Sequence, residues 1–142
     1  MINDKSFGVV PIQKKNNEIK FLIVKHKDGH WGFPKGHLKS RENELDCANR
    51  ELIEETGATN IHLNPKIKFE ENYTCEQDGK EYNKTVTYFF FFFYDFCKNI
   101  KDSEEEITQV LLLNYQNARN ILTHNIAKEI LDKAYNIVKN EK

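Results

Sequence analysis

Missing from this 142-residue chain is any surplus of positive charge: 21 Lys and Arg stand against 22 Asp and Glu, for a net charge of −1. That balance excludes the footprint of a general nucleic-acid binder, so any phosphate site has to be local. Cysteine is scarce, and Cys47, Cys75 and Cys97 form no C-x-x-C pair. An odd count without paired spacing argues against a disulfide framework or a zinc site and for reduced thiols. With only six glycines and three prolines, no linker or repeat stands out, and one compact domain over residues 1–142 is expected. Long apolar runs are absent too. The aromatic stretch YFFFFFYDF, Tyr88 to Phe96, falls well short of the about 20 apolar residues that a membrane helix needs. The opening MINDKSFGVVPIQKK lacks the uninterrupted apolar core of a signal peptide, so a cytoplasmic protein without a membrane partner is expected.

What the chain does have is a crowded acidic helix. Asn43 suits an N-cap, Gly57 suits the position just past a helix end, and Leu45, Ala48, Leu52 and Thr56 recur at helical spacing. These signals predict a helix from Glu44 to Thr56. At about 100° per residue, Glu44, Glu51 and Glu55 fall within a strip about 40° wide beside the apolar stripe. A like-charged i,i+4 pair such as Glu51 and Glu55 costs about 0.2 to 0.5 kcal/mol, and glutamates in a last turn oppose the helix dipole by about 0.3 to 1 kcal/mol. A solvated acidic face is the ordinary meaning of such a run, and Glu44, in the first turn, fits it. Arg50 is spaced to hold Glu54 and Asp46 on the other flank, which leaves the Glu51–Glu55 repulsion to be explained. A Mg²⁺ ion takes carboxylates, waters and substrate phosphates, and it converts that repulsion into a polyphosphate site.

Strands are expected at Gly8 to Ile12, Ile19 to Lys25, Ile67 to Cys75, Thr85 to Phe96 and Thr108 to Leu113, with Glu76 to Asn83 a turn region around Asp78-Gly79. The phenylalanine run reads as a central strand buried on both faces, with Tyr88 also a candidate ligand contact through its hydroxyl. A short helix over Gln116 to Leu122 and a C-terminal one with Ile126, Ile130, Ala134, Ile137 and Val138 on its apolar stripe complete the chain. The order suits an α/β fold of the α+β kind, with a mixed β-sheet covered by helices on both sides. Gly32, Pro34 and Gly36 mark an irregular loop upstream of the acidic helix. It carries His30, Lys35 and His37, which are cationic or hydrogen-bonding groups within reach of phosphates.

Residues 36–58 resemble the signature of the Nudix hydrolases, G-x5-E-x7-R-E-U-x-E-E-x-G-U, where U is bulky and aliphatic. Gly36, Glu42, Arg50, Glu51, Leu52, Glu54, Glu55 and Gly57 match in register, and Ala58 is smaller than the last position prefers. The resemblance implies an α/β/α sandwich that hydrolyses nucleoside diphosphate derivatives with Mg²⁺ or Mn²⁺. By position it makes Glu51 and Glu55 the main metal ligands, Glu54 a further ligand or the base, and Gly36 a ligand through its carbonyl. Arg50 and Glu42 are then an orienting ion pair, on the flank away from the metal strip. The segments HWGFPKGHL, NYT, NKTVTYFF and SEEE further resemble the asymmetrically cleaving diadenosine tetraphosphate hydrolases. That similarity implies polyphosphate contacts from His30, Lys35 and Lys84, adenine stacking on Tyr73, and an outlying acid, Glu105, that binds metal or takes a proton from water. Between Tyr73 and Lys84 the chain carries several more residues than that subfamily leads one to expect, and Tyr115, His124 and Tyr82 are the candidates for a second ring on the base.

The expected reaction is metal-dependent hydrolysis of a phosphoanhydride, with diadenosine tetraphosphate giving ATP and AMP and a monomer acting on a small-molecule dinucleoside polyphosphate. RNA 5′-end pyrophosphohydrolase and nucleotide-pool sanitising pyrophosphatase are rival readings, and inositol pyrophosphate hydrolysis is disfavoured by the absence of basic excess. A non-catalytic nucleotide-sensing module is the rival from another class. The intact set of glutamates argues against it.

Overall fold

The computed structural model describes residues 1–97 and 107–140. The elements run β1 (Ile2–Lys15), β2 (Glu18–His26), β3 (Trp31–Gly32), β4 (Lys35–Gly36), α1 (Glu44–Thr56), β5 (Ala58–Thr59), β6 (His62–Gln77), β7 (Lys80–Phe92), β8 (Asp95–Phe96), β9 (Ile107–Asn114), α2 (Tyr115–Ile121) and α3 (Asn125–Lys139). The main sheet is mixed. β1 lies parallel to β7 from Ile2↔Tyr82 to Ile12↔Phe92, β6 pairs antiparallel on β7's other edge, and β2 pairs antiparallel with β1, β3 and β9. β4 adds two residues to β1, while β5 and β8 form a separate two-stranded ladder.

Helices cover both faces of this sheet because its central strands are apolar on both. In β7, Val86, Tyr88 and Phe90 pack with Ala118, Leu122 and Leu131 from the α2–α3 side, while Phe89, Phe91 and, just past the strand's end, Phe93 pack with Cys47, Ala48 and Leu52 of α1. The phenylalanine run is therefore core on alternating sides, as a strand period of two requires. In α3 the buried stripe is Ile130, Leu131, Ala134 and Val138. Ile126, expected on that stripe, is exposed instead, because the first turn of α3 overhangs a cleft.

The acidic helix begins and ends at the predicted residues. Asn43 accepts the Asp46 amide at 2.8 Å, and Gly57, at φ 72°, closes the last turn on the Ile53 carbonyl. The strands are longer than their local signals at all ends but one: the strand expected to run to Phe96 stops at Phe92, because Asp95 and Phe96 pair instead with Thr59 and Ala58 beyond the end of α1. β6 and β7 extend through the supposed turn region until Gln77 pairs with Lys80, leaving only Asp78 and Gly79 as the turn, at φ 51° and 76°. Positive φ at both positions is the two-residue hairpin geometry that matches strand twist. The extra residues between Tyr73 and Lys84 therefore lengthen a hairpin without parting its sides, and Tyr73 and Lys84 stand opposite each other as Cα partners.

Candidate active site

Arg50 is the hub of the acidic helix. Its Nε and Nη2 donate to the two Glu42 oxygens at 2.6 and 3.0 Å, and its Nη2 also reaches the His37 carbonyl at 2.9 Å. This fork ties α1 to the loop before it, as bidentate guanidinium–carboxylate geometry favours. Hydrogen bonds from Arg50 and the Lys39 amide hold the Glu42 carboxyl down at about 2. Burial pushes the Cys47 thiol, beside Arg50 and the Gly36 carbonyl, up to about 11, so it stays protonated.

Two expectations about Arg50 need correction. It does not sit on a flank away from the metal strip, since its Nη1 donates to Glu51 Oε2 at 2.9 Å as well as to Glu54 Oε1 at 3.1 Å. Asp46 is not its partner; that residue's amide is engaged by the Asn43 cap. The reason is the fork itself: once two nitrogens are fixed on Glu42, the third swings along the helix to the carboxylates at i+1 and i+4.

Among the described residues, no three acidic, histidine or cysteine side chains converge as a ready coordination set. The donors nevertheless suit a hard divalent ion, being carboxylates and a carbonyl. Glu55 is 7% exposed although it is a glutamate, and Glu51 lies so close to Gly36 that a Cβ there would stand 1.9 Å from its Oε2. Only a glycine lets that carboxylate rest against the backbone of β4. Glu54, about half exposed, is at the outer rim. Glu105 lies outside the described residues.

Beside the acids opens a cleft of about 480 Å³. His30, Lys35 and Tyr73 are all on its wall, drawn from the β2–β3 turn, β4 and β6. Asp28 fixes His30 by accepting both its amide, at 3.0 Å, and its Nδ1. His30 also stacks on His26, whose ring centroid is 4.3 Å away. Burial, then the charges of His30 and Lys35, lower the His26 pKa to about 4, so it is neutral. Lys84 is not on the cleft wall; its Nζ lies 3.8 Å from Asp4 Oδ2, and its charge acts on Lys35 from alongside. Lys35 has its pKa lowered, chiefly by burial.

The candidates for a second base-stacking ring separate clearly. His124 is on the cleft wall, carried there by the α2–α3 connection, which Thr123 pins to Trp31 through bonds of 2.8 and 3.2 Å. Tyr115 stacks on Tyr135 and donates to Asp132, and Tyr82 lies under Lys84. Tyr88 does reach the cleft, with its hydroxyl buried and its pKa raised well above the usual range by desolvation. Sequence reasoning missed Glu71, a half-buried acid on the same wall, whose carboxyl is raised by burial. The signal was available in the alternation Ile67, Phe69, Glu71, Tyr73, Cys75, which sets Glu71 on the inward face of β6.

A sheet between helices, with these acids on one helix, defines a class. The chain belongs to the NUDIX domain family, whose model matches residues 3–134. The asymmetrical bis(5′-nucleosyl)-tetraphosphatase of Mus musculus is 37% identical over 94 residues, covering 63% of this chain and 61% of that protein. An RNA pyrophosphohydrolase of Bartonella henselae is 30% identical over 83 residues, covering 51% and 48%. The chain thus matches about three-fifths or less of these relatives' lengths. A crystal structure of a C. elegans Ap4A hydrolase binary complex superposes with a TM-score of 0.76 at 22% identity, covering 97% of this chain and 99% of that one, and shares its fold.

Proposed function

We propose that the protein hydrolyses a phosphoanhydride bond in a dinucleoside polyphosphate, with diadenosine tetraphosphate and water giving ATP and AMP. One observation carries this reading. Adjacent residues of the two-residue strand β4 serve both halves of the site: Lys35 lines the ring-walled cleft, and Gly36 abuts Glu51 on the acidic helix. A nucleoside in the cleft therefore delivers its phosphates to the glutamates. The name of the mouse relative agrees with this substrate class.

Glu51, Glu55, Glu54 and the Gly36 carbonyl are the residues that hold Mg²⁺ or Mn²⁺, with Glu105 a further candidate. The bound cation supplies charge neutralisation on the phosphate oxygens. Arg50, forked on Glu42 and bonded to Glu51 and Glu54, keeps the helix oriented and would hold these two carboxylates in place for such an ion. Lys35, His30 and Lys84 bind the phosphate chain so that one phosphorus faces an attacking water, a contribution of positioning. Glu54 or Glu55 takes the proton from that water as the phosphorus–oxygen bond forms.

The Bartonella henselae relative favours a second reading, in which the cleft holds the first base of a 5′-triphosphorylated RNA. Rates for dinucleoside polyphosphates, oxidised deoxynucleoside triphosphates and triphosphorylated RNA, measured at equal concentration, decide between them. Diadenosine tetraphosphate turning over more slowly than the other classes overturns the first reading.

A further inference from the structure

Two carboxylates face the cleft, and only one of them is occupied. Asp28 accepts twice from His30. Glu71 has no hydrogen-bond or salt-bridge partner among the described residues; Lys35, His124 and His30 act on it through charge alone. Besides these cationic groups, the cleft wall it shares carries apolar and aromatic side chains, among them Trp31, Phe33, Tyr88 and Ile126. A half-buried carboxylate in such a setting has lost water without gaining donors, which is costly until a ligand supplies them. Glu71 and Tyr73 are two residues apart on one face of β6, a separation of about 7 Å along the strand, so a ring lying on Tyr73 has its edge beside the Glu71 carboxylate.

We propose that Glu71 reads the edge of the bound base and favours guanine over adenine, so that among dinucleoside polyphosphates an adenosine end is accepted and a guanosine end is seated ahead of it, an inference that rests on the cleft taking a nucleoside of the substrate. Guanine offers N1–H and the N2 amino group side by side, two donors for the two carboxylate oxygens. Adenine offers one donor, at N6, and its N1 lone pair meets the second oxygen repulsively. Bidentate matching of this kind discriminates bases by about 5- to 100-fold.

The test uses the mixed dinucleotide, adenosine linked to guanosine through four phosphates, with Mg²⁺ at pH 8. Adding one water across an anhydride gives either ATP and GMP or AMP and GTP, so the product ratio reports how far the cleft discriminates between the two bases, and the relative affinities of GTP and ATP for wild type, read by calorimetry, report which base it prefers, tighter ATP overturning the proposal. Wild type is expected to favour one pair by about 5-fold or more. Glu71→Gln, which offers one acceptor and one donor to match adenine, reverses the ratio, and Glu71→Leu brings it near one. A wild-type ratio near one, or the same bias in all three proteins, overturns the proposal. Uniform slowing without a change of ratio assigns Glu71 to holding Lys35 and overturns it too. If no dinucleotide is cleaved, the catalytic reading fails by itself, and calorimetric titration of GTP and ATP into the same three proteins decides: tighter GTP in wild type alone supports the inference, and equal affinities refute it.

Discussion

Replacing Gly36 with alanine isolates the contact between β4 and the acidic helix. The new Cβ would stand 1.9 Å from Glu51 Oε2 and 2.2 Å from its Cδ. Carbon and oxygen settle no closer than about 3.3 Å, so the carboxylate has to retreat by more than about 1 Å. A misplacement of that size costs about 100-fold in rate, or about 2.7 kcal/mol of transition-state stabilisation. Stability should barely change. Gly36 is not among the glycines with positive φ, so alanine suits its backbone and stiffens the unfolded chain by about 0.4 to 1 kcal/mol. Weakening the 2.9 Å Arg50–Glu51 pair removes a similar amount, about 1 kcal/mol, because Arg50, although only 20% exposed, keeps its bonds to Glu42 and Glu54 and is not left unpaired. The expected result is kcat/KM down about 100-fold on the best substrate, with Tm moved by less than about 5 °C. Normal turnover in a folded Gly36→Ala protein would show that the place of Glu51 against β4 has no part in the reaction.

Other expectations follow from the same geometry. Glu55→Gln keeps the shape of a buried side chain and removes its charge, so turnover with Mg²⁺ should fall by orders of magnitude while the melting curve is retained; near-normal turnover rejects the role given to Glu55. Chelation should abolish activity, and added Mg²⁺ or Mn²⁺ should raise the Tm of wild type but not of Glu55→Gln, a difference readable without any substrate. Acid should destabilise the protein in two windows. His26 titrates at 6.5 ordinarily and about 4 when folded, and Glu42 at 4.5 and about 2. In both cases the unfolded chain binds the proton first, so stability is complete above the higher value and is lost as pH falls to the lower one. Urea midpoints should show the slope between pH 6.5 and 4 flattened in His26→Phe and that between 4.5 and 2 flattened in Glu42→Gln; unchanged slopes contradict the assignments. Gly57→Ala puts a Cβ 2.5 Å from the Cys97 carbonyl at φ 72°, and thermal melts should show a loss greater than about 1 kcal/mol.

Helix α1 could be bounded to the residue from sequence because its determinants are local. A cap, a left-handed stop and a 3.6-residue stripe all lie within the segment they define. The signature residues were legible for the same reason, since Glu51, Glu54 and Glu55 occupy neighbouring positions on one helix whatever surrounds it. Strand lengths were not local properties. β1 runs from Ile2 to Lys15 because β7 offers it a partner as far as Ile12 and β2 continues the pairing to Lys15, and the Asp78-Gly79 hairpin carries polar residues such as Asn72 and Asn83 into the sheet. The partition of Arg50 among Glu42, Glu51 and Glu54 depended on where the preceding loop folds back.

The cleft belongs wholly to tertiary structure. His30, Lys35, Tyr73 and His124 lie far apart in sequence, and no spacing rule joins them. They meet because β2, β6 and the α2–α3 connection are fixed against one sheet by its apolar faces. Sequence determined which groups could do phosphate chemistry, since charge and hydrogen-bonding capacity are properties of the residue. Packing decided which of them share a space, because separation in three dimensions is set by the cores that hold the elements together.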